Sequence, residues 1–309
     1  MSRLIKRLGR SVSRLKAIYD HPLHRGRRIA AVISWLRLAL SNHLTPTRQI
    51  AIPYVGGAVL NWPVASSSVS ICAKYGLGEY ADMAFCLHLL RPEDFFCDVG
   101  ANAGVYTILA AHAVGCQVVA AEPVPQAFNL LMQNIYANGV AEKVEAHRVG
   151  IGGEDGSLRF TASLWSYNHV LEHCEEEGFD SSVVVRVCPL DAVLADRVPF
   201  ALKIDVEGFE AQVIAGATKT LFAPDLQAII IEIWAGHLAR YGDEPQNLLE
   251  TIAAAGFHGP YWYDPAARKL IEPGRQEKMK FNQIFVRDKA LVERRLATSK
   301  QYKVHGTLV

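Results

Sequence analysis

The chain has 309 residues, half of them apolar, and its 32 Lys and Arg nearly balance its 31 Asp and Glu. This length and apolar content allow a sizeable core and favour one large domain. The six cysteines are scattered without metal-ligand spacing, which disfavours a zinc site and favours a reducing compartment, so we expect a cytoplasmic protein. The first apolar segment, residues 29–40, is interrupted by Arg37 and is shorter than the roughly 20 apolar residues that cross a bilayer.

Charge is distributed unevenly along the chain. Residues 1–48 hold eleven Lys and Arg against one acidic residue, whereas the remainder holds 21 against 30. Within residues 1–20 the apolar side chains recur at helical spacing, at Leu4, Leu8, Val12, Leu15 and Ile18. We predict a basic amphipathic helix that either packs on its own domain or contacts the inner face of an anionic membrane. Nucleic acid is a less favoured partner.

The predicted elements begin with a hairpin around Gly56-Gly57, which we expect to form a lid or edge, and a helix over 78–90. From residue 95 onward strands and helices alternate, which is typical of a parallel sheet covered by helices on both faces. The predicted strands are 95–99, 117–121, 144–151, 199–208, 226–234 and a closing pair, 257–264 and 281–288. The predicted helices between them are 104–113, 125–137, 209–221 and 246–255.

The sequence divides into three predicted parts. Residues 1–48 form the basic helical arm, residues 49–288 the main α/β domain, and residues 289–309 a C-terminal tail whose end we expect to be loosely held. An insertion at 152–194 separates the third and fourth strands.

Acidic residues stand where the predicted strands end, at Asp98, Glu122, Asp205, Glu207 and Glu232. In an open parallel sheet, ligands bind beyond the carboxyl ends of the strands, at the point where the strand order reverses. Charged residues are depleted inside such strands, so this placement indicates a site more than chance surface charge.

The turn Gly100-Ala-Asn102-Ala-Gly104 follows the first strand and precedes a helix. Its spacing differs from the dinucleotide fingerprint, and no phosphate-binding Lys follows it, which disfavours NAD and nucleoside triphosphates. Glu122, at the end of the second strand, lies where an acid accepts hydrogen bonds from two ribose hydroxyls. S-adenosylmethionine combines a ribose with a sulfonium that suits the carboxylates. We predict that Glu122 contacts the ribose and that the glycine turn contacts the amino acid end of this cofactor; close packing of helix on strand is the alternative for Gly100 and Gly104.

The remaining carboxylates are placed to act on the acceptor, the molecule that receives the methyl group. Methyl transfer requires alignment of the acceptor oxygen, the methyl carbon and the sulfur, together with removal of the hydroxyl proton. We predict that Asp205, Glu207 and Glu232 converge and supply a general base. A divalent cation bound by them is a less favoured alternative, and we assign no metal ligands; ion pairs with Lys203 or Arg186 would instead make them structural. The other candidate bases are His169, His173 and His237.

Four segments occur in a fixed order: Asp98-Val-Gly-Ala-Asn-Ala-Gly104, Ala121-Glu122-Pro123, Leu202-Lys-Ile-Asp-Val-Glu-Gly208 and Ile231-Glu232-Ile233. Together they resemble the FkbM family of S-adenosylmethionine-dependent methyltransferases, over about residues 78–288. The resemblance implies the Rossmann-like methyltransferase fold and O-methylation of a hydroxyl on a glycan, a lipid-linked sugar or a natural product. It also implies cofactor contacts from Asp98, Gly100, Asn102, Gly104 and Glu122. We expect the insertion at 152–194 on the side of the acceptor. Ala103 stands where the family often has a larger aliphatic residue.

Two rival functions remain at this stage. A nucleic-acid N-methyltransferase would typically carry an Asn/Asp-Pro-Pro-aromatic turn after the fourth strand, where this chain has Asp205-Val-Glu-Gly208. A noncatalytic S-adenosylmethionine-binding or membrane-associated interaction protein is the second rival, and the intact Asp98, glycine turn and Glu122 argue against a degenerate site.

Overall fold

The computed structural model describes residues 13–44, 50–62, 67–162, 164, 168–171, 181–274 and 282–309. The strands in this part of the chain are β1 (Ile50–Pro53), β2 (Val59–Trp62), β3 (Phe95–Val99), β4 (Gln117–Ala121), β5 (Val144–His147), β6 (Gly150–Ile151), β7 (Gly156–Thr161), β8 (Ser182–Cys188), β9 (Ala201–Ile204), β10 (Ala228–Glu232), β11 (His258–Asp264), β12 (Lys269–Ile271), β13 (Asn282–Val286), β14 (Lys303–Val304) and β15 (Thr307–Leu308).

The helices follow the predicted alternation. Residues 13–20 of the described chain are helical. The labelled helices are α1 (Arg28–Leu44), α2 (Ser67–Tyr75), α3 (Tyr80–Leu89), α4 (Val105–Ile108, continued by a π turn, Leu109–Val114), α5 (Pro125–Ala137), α6 (Leu190–Leu194), α7 (Glu210–Ala215), α8 (Thr218–Phe222), α9 (Ala235–Leu238), α10 (Pro245–Ala254) and α11 (Lys289–Ala297). Short 3-10 turns lie at Pro22–His24, Val55–Gly57 and Ala239–Tyr241.

The main sheet has the order β12-β11-β13-β10-β9-β3-β4-β5. The strands from β10 to β5 run parallel, whereas β13, β11 and β12 continue the sheet in antiparallel pairings. The described residues thus form an α/β fold with a mostly parallel sheet, as the sequence predicted. The sheet has eight strands where seven were predicted, because the short edge strand β12 carries little hydrophobic pattern.

Both faces of this sheet are covered, which explains why its central strands are apolar at consecutive positions. Phe96 and Ile230 face one core cluster, and Cys97 and Ile231 face the other. All four side chains are fully buried. The polar residues of β3, β9 and β10 are therefore confined to the strand ends, except Lys203.

The predicted third strand, residues 144–151, is divided between two sheets. Residues 144–147 form β5 of the main sheet, whereas β6 joins the insertion in a three-stranded sheet of order β6-β8-β7. This small sheet packs Phe160 and Val185 against Val124 and Ala127 of the main domain. The insertion therefore reaches the end of β4, close to Glu122.

The predicted hairpin around Gly56-Gly57 is confirmed, with β1 antiparallel to β2. Two side chains of α5 fix it: the Oδ1 of Asn134 accepts from the Asn61 N–H at 2.7 Å, and the Oδ1 of Asn138 accepts from the Val59 N–H at 2.8 Å. The hydroxyl of Tyr54 also donates to the Val105 carbonyl oxygen at 3.1 Å. The hairpin thus braces the start of α4.

The two ends of the described chain meet. The Oγ1 of Thr307 donates to the Leu23 carbonyl oxygen at 2.7 Å, and Tyr302 and Val304 are buried. The expectation of a loosely held C-terminal end is wrong for these residues: α11 and the hairpin β14–β15 pack on the domain. A two-residue strand has too few side chains to give a recognisable pattern.

None of the helices in the described part of the chain has the length and apolar character needed to cross a membrane.

The hairpin β14–β15 offers a direct test of its packing. Val304→Ser should lower the free energy of unfolding by about 2–3 kcal/mol, because a fully buried apolar side chain is replaced by a hydroxyl. Leu308→Ser, at a side chain that is 59% exposed, is the matched control and should change it by less than about 0.5 kcal/mol. Urea denaturation of both variants provides the measurement; equal, small effects would mean that the hairpin contributes nothing to stability.

Candidate active site

A cavity of about 560 Å³ opens at the carboxyl ends of β3, β4, β9 and β10. After β3 the chain adds β4 and β5 on one side and returns to β9 on the other, so the strand order reverses between β3 and β9. This reversal is the place at which open α/β sheets bind ligands, and the volume suits a small organic ligand. Seven of the eight residues that we predicted as site residues line the cavity; Gly104 does not.

Gly100 is required by a close backbone approach. It has a φ of +80°, and a Cβ at this position would overlap the carbonyl oxygen of Asp205 on the neighbouring strand end. The N–H groups of Gly100 and Ala101 both donate to the Ala121 carbonyl oxygen at 3.0 Å. Glycine therefore lets the turn bridge the ends of three strands, with its own backbone facing the cavity.

Gly104 and Asn102 shape the rest of the turn. Gly104 has a φ of +82°, and a Cβ would press on the Leu131 side chain of α5, so the packing alternative accounts for this glycine. Asn102 has a φ of 50°, a left-handed conformation that Asn tolerates better than most residues. Its Oδ1 accepts from the Ala103 N–H at 2.8 Å, which holds the turn in this form.

Glu122 is buried at the end of β4 and is held by two backbone donors. Its Oε2 accepts from the Asn102 N–H and its Oε1 from the Val124 N–H, both at 2.8 Å. Burial raises the pKa of Glu122 to about 7, although both backbone hydrogen bonds favour the ionised form. Each carboxylate oxygen has a second lone pair, so the fixed carboxylate can accept further hydrogen bonds from a ligand.

Asp98 lies beneath the turn and ties β3 to α4. Its Oδ2 accepts from the Thr107 hydroxyl at 2.6 Å. Burial raises the pKa of Asp98 to about 6, whereas the Thr107 hydrogen bond and the Lys203 charge act in the opposite direction. The carboxyl group borders the cavity but its side chain is also a structural anchor for the helix that follows the turn.

Lys203 is a buried ammonium in the middle of the sheet, opposite Asp98 in the β3–β9 register. Its Nζ donates to Oδ2 of Asp205 at 2.9 Å and lies 5.1 Å from the ring centroid of Tyr106. Burial alone would lower the pKa of Lys203, but the carboxylates of Asp205 and Glu79 outweigh it and raise the pKa. Asp205 is therefore one half of an ion pair, as the structural alternative anticipated.

The loop after β9 is folded tightly against α9. Gly208 has a φ of +110°, and a Cβ there would collide with the His237 backbone. The Oε1 of the buried Glu210 accepts from the N–H groups of Val206 and Gly208, at 3.2 and 3.1 Å. These contacts hold Glu207 in a left-handed conformation, with a φ of 56°, beside His237.

Glu207, Glu232 and His237 form a cluster at the ends of β9 and β10. The Nδ1 of His237 lies 3.3 Å from Oε2 of Glu207 and 3.6 Å from Oε2 of Glu232. Burial, followed by the charge of Asp205, raises the pKa of Glu207 to about 9 and that of Glu232 to about 8. Burial lowers the pKa of His237, and the nearby Arg240 adds to this effect. The cluster therefore holds protons near neutral pH and can exchange them.

The same three side chains could hold a divalent cation. One ligand atom from each lies within 4.8 Å of the others. Oε2 of Glu232 and Nδ1 of His237 are buried atoms without a hydrogen-bond partner. Two carboxylates and one imidazole are an acceptable donor set for several divalent metals.

The cavity is strongly acidic. The described residues that line it carry six carboxylic side chains, those of Glu79, Asp98, Glu122, Asp205, Glu207 and Glu232. Lys203 and His237 are the basic side chains among these lining residues, and Lys203 is already paired with Asp205. Each carboxylate disfavours ionisation of the carboxyl groups near it, and a nearby cation relieves this repulsion. The cavity therefore suits a ligand that carries positive charge.

Three residues contribute more to the site than the sequence indicates. His237 is only an alternative base by sequence, because nothing in the sequence places α9 against the loop at Gly208. Glu210 and Glu79 are not among the predicted site residues; Glu79 accepts from the Tyr106 hydroxyl at 2.6 Å. Glu210 follows Glu207 by three residues, a spacing that could have suggested a capped turn. His169 is buried but does not line the cavity, and His173 lies outside the described residues.

The fold and this cavity define a Rossmann-like α/β enzyme with a ligand site at its topological switch point. A family model described as the methyltransferase FkbM domain matches residues 98–258, half of the chain. The chain therefore belongs to the FkbM methyltransferase family, as the motifs indicated. It is an S-adenosylmethionine-dependent methyltransferase, and a noncatalytic role is not favoured.

Two curated relatives agree with this assignment. The hexuronic acid methyltransferase AglP of Haloferax volcanii is 24% identical over 213 residues, which cover 68% of this chain and 83% of the relative. Methyltransferase 1 of Beauveria bassiana is 28% identical over 148 residues, 40% of this chain and 59% of the relative. Among solved structures, a methyltransferase FkbM from Methylobacillus flagellatus is 16% identical, with a TM-score of 0.44, over 83% of this chain and 61% of that chain.

Proposed function

We propose that this enzyme transfers the methyl group of S-adenosylmethionine to a hydroxyl of an uncharged sugar unit. The observation that carries the proposal is that a single acidic cavity contains both the glycine turn with Glu122 and the cluster of Glu207, Glu232 and His237. The first part suits the cofactor and the second suits an acceptor hydroxyl. Because the two parts of the cavity lie at the ends of neighbouring strands, a methyl group can lie between the cofactor and the acceptor hydroxyl.

At the cofactor side, Glu122 would accept hydrogen bonds from the ribose hydroxyls. Its two backbone donors fix the carboxylate before the ligand arrives, which reduces the entropy that binding would otherwise cost. Gly100 and Asn102 would contact the amino acid end, and Asp98 would lie beneath it. Gly104 would act through the shape of the turn, since it does not line the cavity.

At the acceptor side, the hydroxyl oxygen would attack the methyl carbon as the carbon–sulfur bond breaks. The new oxygen–carbon bond forms, the hydroxyl proton passes to the cluster, and S-adenosylhomocysteine leaves. After burial and the charge of Asp205, the charge of Glu232 also raises the pKa of Glu207. We favour Glu207 as the acceptor of the proton, with Glu232 and His237 adjusting its basicity, and Asp205 holding Lys203.

The charge of the cavity favours a neutral acceptor. The relative AglP is named for a hexuronic acid, whose carboxylate would be repelled by the carboxyl groups of this cavity once they ionise beside the bound sulfonium. Trp234 lines the cavity and is 44% exposed, so its ring can pack on the apolar face of a sugar. A neutral glycan unit fits these features better than a uronate.

The direct test is an assay with radiolabelled S-adenosylmethionine and two sets of oligosaccharides, one neutral and one containing uronic acids of otherwise matched structure. We expect methyl incorporation into neutral sugars at least about tenfold faster, because each buried like-charge contact disfavours the uronate by on the order of 1 kcal/mol. The labelled product should resist mild base, as an ether does and an ester does not. Preferential labelling of the uronate set would contradict the assignment of a neutral acceptor.

Substitution separates the two roles. Glu122→Ala should weaken S-adenosylmethionine binding at least about tenfold, because hydrogen bonds to a charged group contribute about 1.5–3 kcal/mol each, and Glu122→Gln should lose less. Glu207→Gln should leave cofactor affinity within a few-fold while turnover falls on the order of a hundredfold. Glu154→Gln, on the exposed surface, is the matched control.

Calorimetry gives the cofactor affinities, and turnover on the identified acceptor gives the rates. Full turnover in Glu207→Gln would exclude Glu207 as the base. Loss of turnover on treatment with chelator, restored by magnesium or manganese, would instead favour the cation alternative at Glu207, Glu232 and His237. A cytoplasmic location, expected from the sequence, remains a prediction.

A further inference from the structure

Helix α1 has two apolar faces. Its inner face is formed by Ala31, which is 6% exposed, and by Trp35 and Leu38, which pack on the main core. Its outer face carries four large apolar side chains that are exposed by 69, 42, 49 and 59%, those of Ile29, Ile33, Leu36 and Leu40. The inner face accounts for the packing of α1 on the domain, so the outer face needs a separate explanation.

The four outer residues form one narrow stripe. They follow one another at steps of four, three and four, which places them within an arc of about 60° on a helix of 3.6 residues per turn. The inner residues lie on the opposite side of the helix by the same geometry. A surface helix of a globular protein normally has one apolar stripe and a polar opposite face. Scattered exposed apolar residues are ordinary, but a continuous stripe of this kind marks an interaction surface.

Basic residues accompany this stripe. Arg28 and Arg37, both exposed, lie on its two sides by helical position. Residues 13–44 contain six Lys and Arg against Asp20 alone, and residues 1–12 add four more Lys and Arg without an acid. An apolar stripe with basic flanks is the composition of helices that lie in the interface of an anionic bilayer.

We propose that the outer face of α1 docks on an anionic membrane surface. Docking of a second copy through the same face would bring two basic surfaces together, and residues 1–12 are themselves basic, so neither is electrostatically complementary to it. The sequence pointed to residues 1–20 as the membrane-binding segment. In the described part of that segment Ile18 is fully buried, which shifts the candidate surface to α1.

The docking face lies close to the cavity. The ammonium of Lys74 on α2 is 4.9 Å from the ring centroid of Trp35 on α1. Ser68, Ile71 and Cys72 of the same α2 line the cavity, and Ile71 is 37% exposed. One helix therefore separates the proposed membrane contact from the cavity. The docking proposal does not rest on the proposed sugar acceptor, although this position would suit an acceptor that is attached to a lipid.

Vesicle sedimentation of the full chain tests the proposal. The probes are phosphatidylcholine vesicles with and without phosphatidylglycerol, at low and at high salt. The wild type should sediment with the anionic vesicles, and less so at high salt, where the charges are screened. Ile29→Ser combined with Leu40→Ser should reduce the partition coefficient by about tenfold or more, because half of the stripe is removed. Val184→Ser combined with Phe222→Ser, at side chains exposed by 62 and 55%, is the matched control and should bind as the wild type does.

Arg28→Gln combined with Arg37→Gln provides a second test, in which the apolar residues of the stripe are unchanged. It should weaken binding to the anionic vesicles in low salt. S-adenosylmethionine affinity, measured in parallel, should be unchanged in every variant, which separates loss of docking from loss of the fold. The proposal fails if the wild type does not bind anionic vesicles, or if the Ile29/Leu40 variant binds as well as the wild type. It also fails if light scattering shows a dimer that this variant dissociates while vesicle binding is absent.

Discussion

The burial of charged side chains at the carboxyl ends of the parallel strands is the constraint that determines the chemistry of this cavity. Lys203 lies inside the sheet and is stabilised by Asp205 at 2.9 Å, with Asp98 and Glu79 nearby. Because the ammonium can satisfy only part of this acidic surface, the remaining carboxyl groups keep their protons or need another cation. The sulfonium of the cofactor that we propose for this cavity would supply such a cation. The acidity of the cavity and the positive charge of the proposed cofactor therefore match.

Two glycines, Gly100 and Gly208, determine how closely the loops that carry these charged side chains approach each other and α9. Gly100 lets the turn after β3 touch the end of β9, and Gly208 lets the loop after β9 touch α9. The first contact brings the turn at residues 100–104 beside Asp205, and the second brings Glu207 beside His237. Glu210 and Glu122 then hold the two loops through backbone N–H groups. Backbone contacts thus position the groups that we propose as reactive, and a displacement with strict alignment requires such positioning.

Much of this arrangement was readable from the sequence. Apolar runs ending in acids predicted the central strands and the edge at which Asp98, Glu122, Asp205 and Glu232 meet, since parallel strands share their carboxyl ends. The approach of His237 was not predictable, because it depends on a backbone contact at Gly208 between segments about 30 residues apart. The packed end at Val304 and the edge strand β12 gave too few residues for a pattern. The outer stripe of α1 was hidden because a helix apolar on two faces shows no clear period.

We expect the carboxyl groups of Glu207 and Glu232 to be protonated in the free enzyme and to ionise when a cationic cofactor binds. Burial and the neighbouring charge of Asp205 raise the pKa of both groups above neutrality, to about 9 and about 8. A sulfonium nearby lowers these pKa values, so binding near neutral pH should release protons. Calorimetry of S-adenosylmethionine in buffers of different ionisation enthalpy measures this directly. We expect net proton release on binding, and less release in Glu207→Gln. Binding without proton release, or with proton uptake, would mean that these carboxyl groups do not ionise when the cofactor binds.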